Sequence, residues 1–194
     1  MAPKDEIKDP DPASRRQALS TMGRLALAPI VSGGLIASGS TPAAAQSAAP
    51  ALPTRDAPPI GSLIALPRTR LIDGTVREPD FWKGKVLVLE LWATWCPFCR
   101  KQNPVLDQLY REQVGKGLEV LGLSIDRNED EIKKYYAETG YRFPSTRFDR
   151  AWWEAIGKPK GLPIIWVIGR DGRLAQVETG ELFAEDILDF ARLL

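Results

Sequence analysis

At 194 residues the chain is long enough for one domain with a core of its own, and 26 basic residues against 25 acidic ones leave no charge excess to draw it to nucleic acid or an anionic surface. It has no histidine, which removes the commonest metal ligand and general base. Two cysteines remain, so thiols and carboxylates are the reactive groups on offer.

Residues 1–45 follow the order of an export signal: a polar start, Ser14-Arg15-Arg16-Gln17-Ala18-Leu19-Ser20, a mildly apolar stretch over 25–37, then small residues ending at Ala45. The paired arginines are similar to a twin-arginine signal, although Ala18 stands at the usually apolar position and Ser20 at the usual lysine. Pro29, Gly33 and Gly34 break the middle, which falls short of the roughly 20 apolar residues of a spanning helix. Cleavage is expected after Ala45. Residues 46–59, rich in alanine and proline, read as a linker, and 60–194 as the folded domain.

Residues 63–66 and 70–72 are expected as short strands, with Asp73-Gly74 turning the second into a hairpin at Val76. Pro79 to Trp82 reads as one helical turn. Val86 to Trp92 is apolar nearly throughout, the mark of a strand covered on both faces. A helix follows from Pro97 to about Val114, with Val105, Leu106, Leu109 and Tyr110 inward and a kink at Pro104. Residues 118–125 form the next buried strand, 129–138 a helix, 141–148 a strand or irregular segment, and 151–156 a short helix. Residues 164–168 and 174–179 form a hairpin around Asp171-Gly172, and 182–194 an amphipathic closing helix. The order gives an α/β fold, a mixed sheet with helices on both faces, an N-terminal β-hairpin and a central insertion.

The two cysteines lie in Trp95-Cys96-Pro97-Phe98-Cys99, between the apolar strand and its helix. Positions i and i+3 of a first helical turn sit side by side, and the unpaired N–H groups there favour a thiolate. Pro97 suits the first helical position, where its missing N–H has no partner to lose. The spacing equals half a zinc site. Zinc needs four ligands, however, and the chain has no further cysteine and no histidine, so no metal and no cofactor are expected. A disulfide closing so short a loop adds little stability, which favours a redox role over a structural one. Glu90 stands inside the apolar strand, six residues before Cys96. Burial would raise its pKa and suit it to pass a proton to or from Cys99; the plainer reading is a surface glutamate or a pair with Lys85.

The phrase Leu91-Trp92-Ala93-Thr94-Trp95-Cys96-Pro97-Phe98-Cys99 resembles the thioredoxin superfamily, and within it the exported TlpA/ResA-like thiol-disulfide oxidoreductases. Gly161-Leu162-Pro163 before a strand, with Asp171-Gly172 after it, is a second and independent match. The resemblance covers about 60–194 and implies a thioredoxin-like fold with residues 126–160 as the exported branch's insertion. It implies Cys96 as attacking thiol, Cys99 as resolving thiol and Pro163 as the cis-proline that sets Leu162 beside the sulfurs to hold substrate. Trp95 and Pro97 would belong to the docking surface, whereas Trp92 would be core. Of the pairs Tyr135-Tyr136 and Trp152-Trp153, one member each is expected in the core. The implied partners are a disulfide-containing client protein and a membrane thiol-disulfide electron donor, in the bacterial periplasm, with the protein a monomer. Cytochrome c apoprotein, a copper-site assembly protein and misoxidised proteins at large are all compatible clients.

Two other activities share parts of this pattern. A peroxiredoxin-like peroxidase resembles Pro-x-x-x-Thr-x-x-Cys, but Leu89 and Ala93 occupy the proline and threonine positions here. A Sco-like copper-delivery protein needs CxxxC and a histidine. A non-catalytic thioredoxin-like domain is the third reading, against which the intact cysteine pair weighs.

Overall fold

Seven consecutive buried residues, Val86–Trp92, make the central strand β3 of the computed structural model, which describes residues 57–194. The expected signal over 1–45, and the linker as far as residue 56, lie outside the described residues. Alternation along β3 feeds two cores at once. Leu87, Leu89 and Leu91 meet one set of apolar side chains, and Val86 and Val88 meet another.

The elements follow in chain order. Strands β1 (Thr69–Arg70) and β2 (Val76–Arg77) form the N-terminal hairpin, and a 3-10 turn (Pro79–Trp82) leads into β3. Helix α1 (Pro97–Gln113) returns to β4 (Leu118–Ser124), and α2 (Glu129–Thr139) returns to β5 (Ser145–Arg147). Then come α3 (Arg150–Ile156), β6 (Ile164–Ile168), β7 (Leu174–Thr179) and α4 (Ala184–Asp189). The sheet order is β5-β4-β3-β6-β7, with β3, β4 and β5 parallel and β6 and β7 antiparallel to their neighbours. This is the thioredoxin-like α/β arrangement.

Leu106 and Leu109 of α1 and Ile187 of α4 pack with Val86 and Val88, while Trp152 and Ile156 of α3 pack with the leucines of the opposite face. Local chemistry sets the helix ends. Asn128 caps α2 through a bond from the Asp130 amide, acidic residues fill its first turn, and Gly140, at φ 72°, ends it in the left-handed region. Asp149 caps α3 by accepting from the Trp152 amide. Pro104 lies inside α1, which runs on through it without a break.

Two expected elements differ. Residues 63–66 form no strand: Leu63 makes a single bridge to Arg173, and Pro67 has no N–H to extend the pairing. The closing helix starts at Ala184, where Phe183 offers no side-chain cap, runs to Asp189, and tightens in its last turn to a 3-10 turn at Phe190–Leu193. Val105 and Tyr110, expected inward, pack against the core around Val86 and Val88 while staying half-buried.

Asp107 of α1 ties the helix to the chain entering β5. Its buried carboxylate accepts from the amides of Arg142 and Phe143 at 2.5 and 3.2 Å and from Arg111 Nε at 2.5 Å. Asp107→Ala leaves two backbone donors and a guanidinium without their acceptor, so it should cost about 3 kcal/mol in urea denaturation at pH 7. Asp107→Asn, which keeps one acceptor oxygen, should lose less. A cost below about 1 kcal/mol for the alanine variant would mean that water replaces the carboxylate at those amides.

Candidate active site

Parallel and antiparallel neighbours bring three chain segments to one end of the sheet. Strands β3 and β4 both finish there and β6 begins there, with Leu91 opposite Leu123 on one side and Ile164 on the other. Residues 93–99, Ile125-Asp126 and Leu162-Pro163 therefore converge, although they are far apart in the chain.

Cys96 is the N-cap of α1, with extended backbone, and its Sγ accepts from the Cys99 amide at 3.3 Å. Cys96 and Cys99 are joined as a disulfide, their Cα atoms 5.3 Å apart. The first turn of α1 holds no acidic residue, and Pro97 occupies the first helical position, so the positive helix end acts on Cys96 unopposed. Both cysteines are deep: Cys96 is 3% exposed and Cys99 fully buried. The outer cysteine thus meets solvent through a narrow opening. Around it Trp95 and Phe98 are exposed by 63% and 50%, and Pro97 is exposed as well.

Trp92, Ala93, Ile72 of the hairpin and Ile132 and Tyr135 of α2 cushion the pair, and Leu162 packs against the same cluster. The Leu162–Pro163 peptide is cis. Trp92 and Trp152 are core, as expected from sequence, whereas Tyr136 and Trp153 are half-buried. Gly122 lies beside Glu90 in the sheet and has no room for a side chain, since a Cβ there would stand 2.7 Å from Trp92 Nε1.

Glu90 is completely buried on the face that carries α1. Burial pushes its pKa up to about 8, and a hydrogen bond from Gln102 offsets part of that rise. Lys85 is not its partner: that ammonium pairs with Glu119 at 3.0 Å and lies 3.6 Å over the Phe81 ring. Instead Gln102 Nε2 donates to Glu90 Oε1 at 2.7 Å. With the Asn103 amide turned so that its nitrogen faces them, it donates to Glu90 Oε2 at 2.9 Å and to the Cys99 carbonyl at 2.8 Å.

A second carboxylate holds the approach to Cys96. Asp126, 2% exposed, accepts from the Thr94 amide at 2.9 Å, the Thr94 hydroxyl at 2.8 Å and the Ser124 hydroxyl at 2.6 Å. Arg100 Nε donates to the Thr94 carbonyl at 2.7 Å from the other side. Sequence reasoning missed Asp126, Thr94, Gln102 and Asn103. The available signals were an aspartate just past a buried strand, and two amides three and four positions after Cys99 on the same helix face.

Comparison with known proteins adds the family. The profile of the AhpC/TSA family matches residues 63–177, more than half of the chain. This chain belongs to the AhpC/TSA family. It is 29% identical over 124 residues to the thiol-disulfide oxidoreductase ResA of Bacillus thuringiensis subsp. konkukian, spanning 62% of this chain and 70% of that protein. To ResA of Bacillus anthracis it is 31% identical over 119 residues, covering 60% and 67%. The solved thiol:disulfide interchange protein of Chlorobium tepidum TLS superposes with a TM-score of 0.61 at 24% identity, over 72% of this chain and 98% of that one. With its ResA relatives, the chain is a thiol-disulfide oxidoreductase.

Proposed function

We propose that this oxidoreductase works as a reductase of client disulfides outside the cytoplasm, with Cys96 as nucleophile and Cys99 as resolving thiol. The observation that carries the assignment is the place of Cys96: it caps α1, receives the Cys99 N–H and stands closer to solvent than its partner. The Cys96 thiolate attacks one sulfur of a client disulfide, that S–S bond breaks, and the leaving sulfur takes up a proton. Cys99 then attacks the Cys96 sulfur, releases the second client thiol and leaves the Cys96–Cys99 disulfide. Two electrons pass to the client.

The residues between the cysteines, Pro97 and Phe98, add no positive charge to the thiolate, which argues against a strongly oxidising site. Trp95, Pro97 and Leu162 form the substrate-holding rim in this reading, with the buried Pro163 setting Leu162 in place. In its ionised form, the minor one below pH 8, Glu90 takes the Cys99 proton, and a carboxyl with a pKa near 8 is closely matched to a thiol for that transfer. The signal-like order of residues 1–45 supports export to the periplasm, where a membrane thiol-disulfide donor would restore the dithiol. The protein would act there as a monomer on clients such as cytochrome c apoprotein.

The test is to trap mixed disulfides in the periplasm with Cys99→Ala. Client proteins should be recovered bound through Cys96 and released by dithiothreitol. Recovery of none, together with rapid consumption of hydrogen peroxide by the native protein, would replace this reading with the peroxidase one.

A further inference from the structure

Glu90 does not lie loose in the core, and what holds it is two neutral amides on the helix that carries the cysteines. We propose that Gln102 and Asn103 are positioning residues that aim the Glu90 carboxylate at the Cys99 turn and so govern the proton step of resolution. This rests on the reading of Glu90 given above.

Three observations lead there. First, Gln102 and Asn103 follow Cys99 by three and four positions on α1, so all three side chains share the face turned toward β3. Second, both amides are buried, at 2% and 0% exposure, where an amide is tolerated only with its groups paired. Gln102 meets that condition by donating to Glu90 at 2.7 Å and accepting from the Leu182 amide at 3.3 Å, which ties the carboxylate to the loop after β7. Third, Asn103 spans from Glu90 Oε2 at 2.9 Å to the Cys99 carbonyl at 2.8 Å, a direct link between the acid and the resolving turn.

The other titratable groups about Glu90 do not supply this function. Tyr136 of α2 and Tyr141 in the loop after it interact with Glu90, and burial keeps both phenols protonated to higher pH than usual. On the flanking strands Gly122 and Ile165 sit beside it, with Glu178 of β7 one strand further in the same row. Helix α4 presents Ile187 to this face. Gln102 and Asn103 are the polar contacts of the carboxylate among the described residues.

Because both amides donate to the charged form, removing either should raise the midpoint of Glu90 titration by about one pH unit. The measurement is carboxyl infrared difference spectroscopy on the reduced protein, with the pH profile of single-turnover resolution recorded beside it. Gln102→Met and Asn103→Leu should each move both midpoints upward together, and Gln102→Met placed on Glu90→Gln should leave the resolution profile where Glu90→Gln alone puts it. Asn103→Ser serves if the leucine variant does not fold. If Glu90→Gln changes the profile while Gln102→Met and the Asn103 variant leave both midpoints in place, the inference fails and the reading of Glu90 stands. If Glu90→Gln leaves the profile unchanged, the reading of Glu90 fails and takes the inference with it.

Discussion

Replacing Cys96 with serine is expected to lower insulin disulfide reduction by at least about 10³-fold, to the background rate of the dithiothreitol in the assay. A serine hydroxyl does not ionise at neutral pH, so the helix N-terminus has no anion to stabilise, and no sulfur is left to form the mixed disulfide. Cys99→Ala should fail differently. The Cys96 nucleophile, its N-cap geometry and its exposed rim of Trp95 and Phe98 persist, so the first attack proceeds and the protein stalls as an adduct with insulin chain. Mass spectrometry of quenched reactions separates the two: adduct with Cys99→Ala, none with Cys96→Ser. Adduct formed equally by both variants would overturn the order of attack. The asymmetry follows from burial, because Cys99 has no solvent-facing surface through which a protein disulfide could approach in line.

The features that were plain from sequence are those set by neighbours in the chain. The apolar run 86–92, the cysteines at its end and the proline after Cys96 are local, and they identified the central strand, the helix start and the redox pair. The cis peptide at Leu162–Pro163 became legible through the family resemblance rather than through any local pattern. Contacts that cross the sheet left fainter marks. Asp126 lies 32 residues from Thr94, and only the parallel pairing of β3 with β4 brings their ends together. Glu90 could be suspected from its apolar surroundings, but its partners depended on which helix face lies over β3. That face selected Gln102 and Asn103 over the nearby Lys85, whose ammonium is taken by Glu119. The short closing helix was misjudged because periodicity reports which face is apolar and says little about whether an end is capped.

Glu90→Gln should make the protein more stable at alkaline pH and almost unchanged at acid pH. The folded-state pKa of Glu90, about 8, lies above its usual 4.5, so the native protein holds this proton more tightly than the unfolded chain does. Below pH 4.5 both states are protonated and the group contributes no penalty. Between pH 4.5 and about 8 the unfolded chain ionises while the native protein does not, and stability falls by about 1.4 kcal/mol for each pH unit. The full loss, on the order of 5 kcal/mol, is reached once the buried carboxyl ionises above pH 8. Glutamine keeps the shape and a carbonyl acceptor for Gln102 but has no proton to lose, so urea denaturation from pH 4 to 9 should show a steep slope in the native protein and a shallow one in Glu90→Gln. Parallel slopes would mean that the carboxylate finds water or a cation once charged. The same substitution should slow resolution of the mixed disulfide, because the group linked to the Cys99 turn through Asn103 could no longer take a proton. A protein that is stabilised and slowed by one change in its core would tie the cost of burying Glu90 to the chemistry it serves.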